Sequence, residues 1–294
     1  MKLKLVGLII LINTYHTYSQ QTDYQWWNDL HGWDGISPFE KYLYLESGRM
    51  GPNALPVPEP LYCLWDSLNG FYNLLQYYYT KGERTYSIKN SFYYKADRKV
   101  ALRALMVSAE YFNTNADIRD FRAARTYEGR GWAVGDIYVE THWQIVQFDK
   151  KLPDIAFRVG LKTASGSRVE DARYTDTPGY YFDVNFRKIF SAKTFTYQIY
   201  SMLGFYAYQT YKTDHKQNDA VLYGLGGRIK NVKWGADLHM RGYVGYFGRY
   251  DKPLIGSTEI FYVLGKNILL FRIEKGNTSW PFTSFQLGYS YRFY

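Results

Sequence analysis

The chain has 294 residues, 20% of them aromatic, and a formal net charge of +9 at pH 7. A mean hydropathy of -0.40 is too low for a bundle of membrane-spanning helices, although 32 tyrosines supply many of the rings that favour membrane interfaces. The basic residues are spread rather than clustered, which argues against a nucleic-acid partner, and the single cysteine excludes a disulfide framework.

The first residues have the pattern of an export signal. Lys2 and Lys4 precede an apolar run from Leu5 to Ile12, and a polar stretch follows it. We predict a signal peptide at 1–19 that is cleaved near Ser19. The apolar run is far shorter than the ~20 residues that a spanning helix needs, and no other segment supplies one, so the mature chain is predicted to contain no transmembrane helix.

Residues 20–60 are predicted to form an irregular, aromatic and proline-rich segment. Trp26, Trp27 and Trp33 lie in its first half, and prolines recur between 52 and 60, where they exclude a regular helix or central strand. So many large rings need burial. The segment is expected to be a periplasmic plug inside or across a barrel, or a docking piece for a protein partner, and both alternatives remain open.

From residue 61 to the C-terminus, short alternating segments bounded by turn residues predict about twelve β-strands. The predicted strands span 65–79, 84–94, 99–113, 134–148, 154–164, 179–190, 194–211, 219–229, 232–247, 254–265, 268–275 and 282–294. Short connections alternate with longer ones, and the longest are 114–133 and 164–178. This rhythm indicates strands that cross a membrane up and down, with short turns on the periplasmic side.

The last strand carries the clearest membrane signal. Its apolar and aromatic residues fall on one face and its polar residues on the other: Phe285, Leu287, Tyr289, Tyr291 and Phe293 against Ser284, Gln286, Gly288, Ser290 and Arg292. This strand resembles the C-terminal strand of Gram-negative outer-membrane β-barrels, although Tyr294 adds one residue beyond the outward set. The resemblance implies an all-β, closed antiparallel up-and-down transmembrane barrel at 61–294, located in the cell outer membrane and in contact with its lipid.

The inward faces of the predicted strands carry charges of both signs with a basic excess. Candidate lumen-binding residues are Arg158, Lys162, Arg187, Arg228, Arg241 and Arg272. A basic wall lowers the free energy of anionic solutes in a pore, but these residues could instead pair with carboxylates across a narrow barrel, because about twelve strands leave limited room. Inward tyrosines narrow the lumen further, whereas Gly224 and Gly226 would suit a plug that rests against the wall.

Two histidines fall on inward faces beside carboxylates. Glu140 and His142 share one face of a strand, as do Asp237 and His239, but the two strands are far apart in an up-and-down order. Neither histidine has a serine in the spacing of outer-membrane lipid hydrolases. We therefore predict no catalytic residue, no metal site and no cofactor.

These patterns predict a non-enzymatic outer-membrane barrel. Its expected role is a narrow or plugged conduit for small solutes, with anionic ones among the candidates. The alternative is a structural or accessory subunit of a larger outer-membrane protein assembly, which would bind periplasmic or outer-membrane protein partners through residues 21–60.

Overall fold

The computed structural model describes residues 23–61, 69–147 and 152–293. The predicted signal peptide, the start of the predicted first strand at 65–68, and Tyr294 lie outside these residues. The chain divides into two compact units, Met1–Ile36 and Ser37–Tyr294.

The first unit contains one short helix in its described residues, α1 at Gln25–His31. The Asp23 carboxylate accepts a hydrogen bond from the Gln25 N–H at 2.9 Å, which satisfies one of the free amides of the first turn. Gly32 ends the helix in the left-handed conformation, with φ of 63°. Among the residues that the structure describes, no helix is both long enough and apolar enough to cross a membrane.

The described part of the second unit contains thirteen β-strands and one short α-helix. The strands are β1 Gly70–Thr80, β2 Glu83–Lys95, β3 Val100–Thr114, β4 Arg130–Ala133, β5 Tyr138–Val146, β6 Asp154–Lys162, β7 Gly179–Ala192, β8 Phe195–Gln209, β9 Gln217–Lys230, β10 Trp234–Val244, β11 Leu254–Leu264, β12 Asn267–Gly276 and β13 Thr283–Arg292. The helix α2 spans Ala116–Phe121, and 3-10 turns lie at Phe39–Tyr42, Ser47–Arg49, Val169–Asp171 and Arg249–Asp251.

The strands close into an antiparallel barrel. β1 pairs with both β2 and the last strand, β13, and the remaining strands follow in chain order with β4 added beside β3. The ring of twelve strands with one extra strand confirms the predicted fold class. Closure removes free sheet edges, which is a requirement for a sheet surrounded by lipid.

The extra strand β4 corrects the predicted connection 114–133, and β5 is shorter than the predicted fourth strand, 134–148. β3 is longer than its partner, so β5 pairs with Val100–Leu105, and β4 pairs with the far end of β3, Glu110–Asn113. Between β4 and β5, the Asp136 carboxylate accepts hydrogen bonds from the backbone amides of Ser165 and Gly166, at 3.0 and 2.7 Å. These bonds draw the chain toward the neighbouring loop and interrupt the strand.

The two faces of the wall follow the predicted alternation. In β13, Leu287 is 60% exposed on the outside, whereas Gln286 is 1% exposed on the inside. Phe71 of β1 contacts Phe92 of β2 and Phe293 beyond β13, with ring centroids 5.2 and 5.8 Å apart. Outward aliphatic residues with aromatic rings near the ends are the surface that lipid requires.

The two ends of the barrel differ in the length of their connections. Among the connections described in full, four at the end of the barrel where β13 finishes are short: 96–99, 193–194, 231–233 and 265–266. The connections 115–129 and 163–178 lie at the opposite end. Short turns face the periplasm in outer-membrane barrels, so the long connections mark the outer end. Lys233, which falls within the predicted strand 232–247, lies exposed in a short turn, because β9 ends at Lys230 and β10 begins at Trp234.

Residues 43–61, which we call the luminal segment, lie against the inward face of the wall. Leu45, Met50 and Leu55 are buried in one apolar cluster with inward tyrosines such as Tyr206 and Tyr243. Gly51 N–H donates to the carbonyl of Ala172 in an outer-end loop at 2.8 Å. Burial of this apolar surface is the main favourable contribution that holds an irregular segment in place.

Candidate functional site

The six predicted lumen residues all lie on inward faces, where most of them pair with carboxylates. Arg158 bonds Asp183 at 2.8 Å across β6 and β7, and Arg187 bonds Asp154 at 2.9 Å across the same two strands. Lys162 lies 2.8 Å from Asp136. These three cations therefore form ion pairs with carboxylates of the barrel itself, because a buried charge is tolerated only when it is paired.

Arg241 and Arg272 contact the luminal segment. The Arg272 Nη1 atom lies 2.9 Å from the Glu59 carboxylate, and Arg241 Nε donates to the Val57 carbonyl at 3.2 Å. Arg241 also bonds Glu274 at 2.8 Å, which fixes its guanidinium on the wall.

The luminal segment has two further contacts near its C-terminal end. Leu61 N–H donates to the Asn185 side chain at 2.8 Å. A Cβ built on Gly224 would lie 2.8 Å from the Pro60 ring, so the lack of a side chain at Gly224 lets Pro60 approach the wall. Of the two glycines predicted to suit a packed segment, Gly224 has Pro60 against it, whereas a Cβ on Gly226 would meet the Tyr200 ring and the His239 Cβ atom instead.

The middle of the luminal segment lies over a buried ionic cluster near the outer end. Asn53 donates to Glu110 at 2.7 Å, and Arg173 bonds the other oxygen of the same carboxylate at 2.8 Å. Arg173 and Arg122 both bind Glu83 at the start of β2. Arg173 belongs to a connection that the sequence predicts as an outer loop, and no alternation marked it as inward.

At the outer end, the luminal segment is held by the end of β8 and by α2. Tyr208 Oη lies 3.0 Å from the Leu45 carbonyl and 2.9 Å from the Asp251 carboxylate. Arg49 donates to the Phe121 carbonyl of α2 at 2.8 Å. Burial raises the pKa of the Asp251 carboxyl, and burial likewise raises the pKa of Glu46.

Below Glu59 the lumen widens into a cavity of about 460 Å³ that reaches the periplasmic end. Its described lining includes five cationic side chains and two carboxylates: Arg103, Arg228, Lys230, Arg272 and Arg292 with Glu59 and Glu259. Both carboxylates contact Arg272. Aromatic rings of Tyr72, Tyr93 and Phe261 complete one side of the cavity.

Of the six predicted binding residues, Arg228 and Arg272 come together at this cavity. Arg228 also lies over the Phe261 ring, with its Cζ atom 4.2 Å from the centroid. Sequence reasoning missed Glu59, since the proline-rich stretch around it has no periodicity from which its orientation could be deduced. Arg103 was missed too, although its position on the polar face of β3 was a usable signal.

The two carboxylate–histidine pairs form as the spacing predicted. His142 Nε2 lies 2.7 Å from Glu140, and His239 Nδ1 lies 2.9 Å from Asp237. The strands that carry them, β5 and β10, are separated in the sheet by β6 to β9. In the part of the chain that the structure describes, no group of three or more His, Cys, Asp or Glu side chains is arranged to hold a metal ion.

No protein-family model and no curated protein sequence matches this chain. Among solved structures, an outer membrane channel from Pseudomonas putida F1 is similar over 82% of this chain and 97% of that chain, with a TM-score of 0.51 and 11% identity. The NanC porin covers 76% of this chain and 100% of its own, with a TM-score of 0.47 and 10% identity. The KdgM porin in complex with disordered oligogalacturonate covers 76% and 99%, with a TM-score of 0.45 and 10% identity.

The closed ring and its lipid-facing outer surface define the class of this protein. Together with the likeness of the barrel to the Pseudomonas channel, which at 11% identity concerns the fold alone, they identify an outer-membrane β-barrel protein.

Proposed function

We propose that this protein is a non-enzymatic outer-membrane channel for small anionic solutes, and that the luminal segment closes it as a plug. The observation that carries the proposal is the cavity of about 460 Å³ below Glu59, with its five cationic and two carboxylate side chains. The excess of positive charge lies in the lumen, where low-dielectric walls strengthen its field. A solute that enters from the periplasmic end meets a site that favours negative charge.

The contacts of the luminal segment support a plug. They extend from Leu45 near the outer end, through Asn53, to Glu59 at the top of the cavity. All of these contacts are noncovalent, so the segment can leave the lumen without breaking the chain. The proposed division of the chain is a signal peptide at 1–19, the plug within 20–60 and the barrel at 61–294.

The test is conductance in planar lipid bilayers. The intact protein should be silent, and a variant lacking residues 23–58 should form steady channels whose reversal potential in a KCl gradient shows anion preference. The matched control lacks only residues 23–36, keeps the luminal segment, and should stay silent. Channels in both deletion variants would contradict a plug formed by 43–61.

Silence in all three proteins would refute the conduit. That result would favour the alternative role, a structural or accessory subunit that binds other envelope proteins through its N-terminal segment. Cation preference in the variant that lacks 23–58 would retain the channel but contradict the proposed class of solute, because it would show that the basic cavity does not set selectivity.

A further inference from the structure

Glu59 occupies an unusual position for a carboxylate in a proline-rich segment. It stands between Pro58 and Pro60, whose rings restrict the backbone on both sides. Its side chain is 29% exposed and lines the cavity, while its carboxylate lies 2.9 Å from Arg272 Nη1. The luminal segment therefore presents one fixed anion to a cavity with an excess of positive charge.

The guanidinium of Arg272 divides its donors between two kinds of partner. Its Nε and Nη2 atoms bond Glu259 of the adjacent strand at 3.0 and 2.7 Å, which keeps the group in place on the wall. The Nη1 atom bonds Glu59 and is 3.8 Å from Glu274. Glu259 and Glu274 belong to barrel strands, whereas Glu59 is the carboxylate that the luminal segment brings to Arg272.

We propose that Glu59 is a tethered stand-in for the carboxylate of a small solute, and that Arg272 Nη1 is the site that this solute carboxylate binds. The inference rests on the proposed function, since it names the solute of the same cavity. A carboxylate is specified because the group already seated on Arg272 is one. Charge-assisted hydrogen bonds to arginine are among the stronger polar contacts in proteins, so the exchange of one carboxylate for another keeps Arg272 paired.

The surroundings of the site indicate the body of the solute. Tyr72, Tyr93 and Phe261 line the cavity beside Arg272, and a volume of about 460 Å³ lies within the range of small-molecule sites. Aromatic walls favour a flat or apolar ring over a strongly hydrated chain. The proposed ligand class is therefore a ring-bearing monocarboxylate, for which benzoate is a simple probe and benzamide its neutral counterpart.

The experiment measures binding of benzoate and benzamide to the purified full-length protein in detergent by calorimetry. Glu59→Gln removes the competing anion, so benzoate should bind about tenfold more tightly than to the unsubstituted protein, while benzamide affinity stays unchanged. Glu59→Asp keeps the charge and should leave benzoate affinity within about threefold. Glu46→Gln changes a carboxylate of the luminal segment that does not line the cavity, and it should have no effect.

Equal benzoate affinity in Glu59→Gln and the unsubstituted protein would overturn the proposal. A parallel gain for benzamide would overturn it as well, because it would show a larger cavity rather than a vacated anion site. Circular dichroism of each variant confirms that the barrel is folded. Binding is measured without conductance, so silence of the intact protein and of both deletion variants would refute the channel without deciding whether Arg272 binds a solute carboxylate.

Discussion

A single buried cation, Arg173, joins an outer-end loop, the wall and the luminal segment. Its guanidinium bonds Glu110 and Glu83, donates to the Thr85 hydroxyl at 3.0 Å, and lies 4.7 Å from the centre of the Phe112 ring. A Cβ on Gly51 would come within 2.8 Å of this guanidinium, so the luminal segment passes directly over it. The charge is tolerated because its donors are paired, and removal of one partner would leave an uncompensated buried ion.

Asp171, in the same outer loop, gives a pH-dependent prediction. Burial raises its pKa from 3.8 to about 6, although the Arg168 guanidinium at 2.7 Å opposes the shift. The folded protein therefore binds this proton more tightly than the unfolded chain, and the stability so gained is lost as pH rises from about 3.8 to about 6 and beyond. Between pH 5 and 7.5 the loss should be about 1 kcal/mol.

Guanidinium unfolding of the detergent-solubilised protein at both pH values measures this loss. Asp171→Asn cannot titrate, so its free energy of unfolding should fall by about 1 kcal/mol less than that of the unsubstituted protein over this pH range. Asp214→Asn is the control, since that side chain is 73% exposed in another outer-end loop. Identical pH profiles for the Asp171→Asn variant and the unsubstituted protein would contradict the assignment.

The luminal segment and the strand behind it depend on close approach at Gly224. A methyl group there would lie 2.8 Å from the Pro60 ring and 3.3 Å from both Met202 Cε and the Met240 carbonyl. Gly224→Ala should lower the free energy of unfolding by about 1 kcal/mol, because Pro60 must move away from the wall. The unfolding midpoint in guanidinium reports this loss.

Gly256→Ala is the matched control in β11, where an added methyl meets nothing within 4 Å. Both substitutions reduce the backbone freedom of the unfolded chain equally, so their difference measures the crowding at Gly224, where the Pro60 ring makes the shortest contact. If Gly224→Ala were as stable as Gly256→Ala, the luminal segment would not be packed against β9 in solution.

Strands and their faces could be predicted from the sequence because the period-two alternation is a local property of each strand. Arg228 and Arg272 were placed inward correctly for this reason. The break between β4 and β5 could not be predicted. It depends on how far β3 extends beyond its pairing with β5, and on the hydrogen bonds that Asp136 accepts from a distant loop. The pairing of Glu59 with Arg272 joins positions 213 apart, and no local pattern encodes it.

For the whole molecule, the direction of the luminal segment has a topological consequence. Phe39 lies under Arg125 of an outer-end loop, at 5.2 Å, and Gly51 bonds Ala172 of another outer-end loop, whereas Pro60 and Leu61 line the cavity that opens to the periplasm. The described residues 39–61 therefore run through the lumen from the outer end toward the periplasmic end. Lys41, which is exposed beside Phe39, should consequently face the outside of the cell.

Cysteine labelling tests this direction in a Cys63→Ser background, since Cys63 is the single cysteine of the chain. In intact cells, a membrane-impermeant maleimide should label Lys41→Cys but not Lys233→Cys, an exposed position in a periplasmic turn. Permeabilisation of the outer membrane should make Lys233→Cys reactive, because only the membrane separates it from the reagent. Labelling of Lys233→Cys alone in intact cells would show that the barrel has the opposite orientation in the membrane. Protection of both sites would mean that residues near Lys41 do not reach the cell surface.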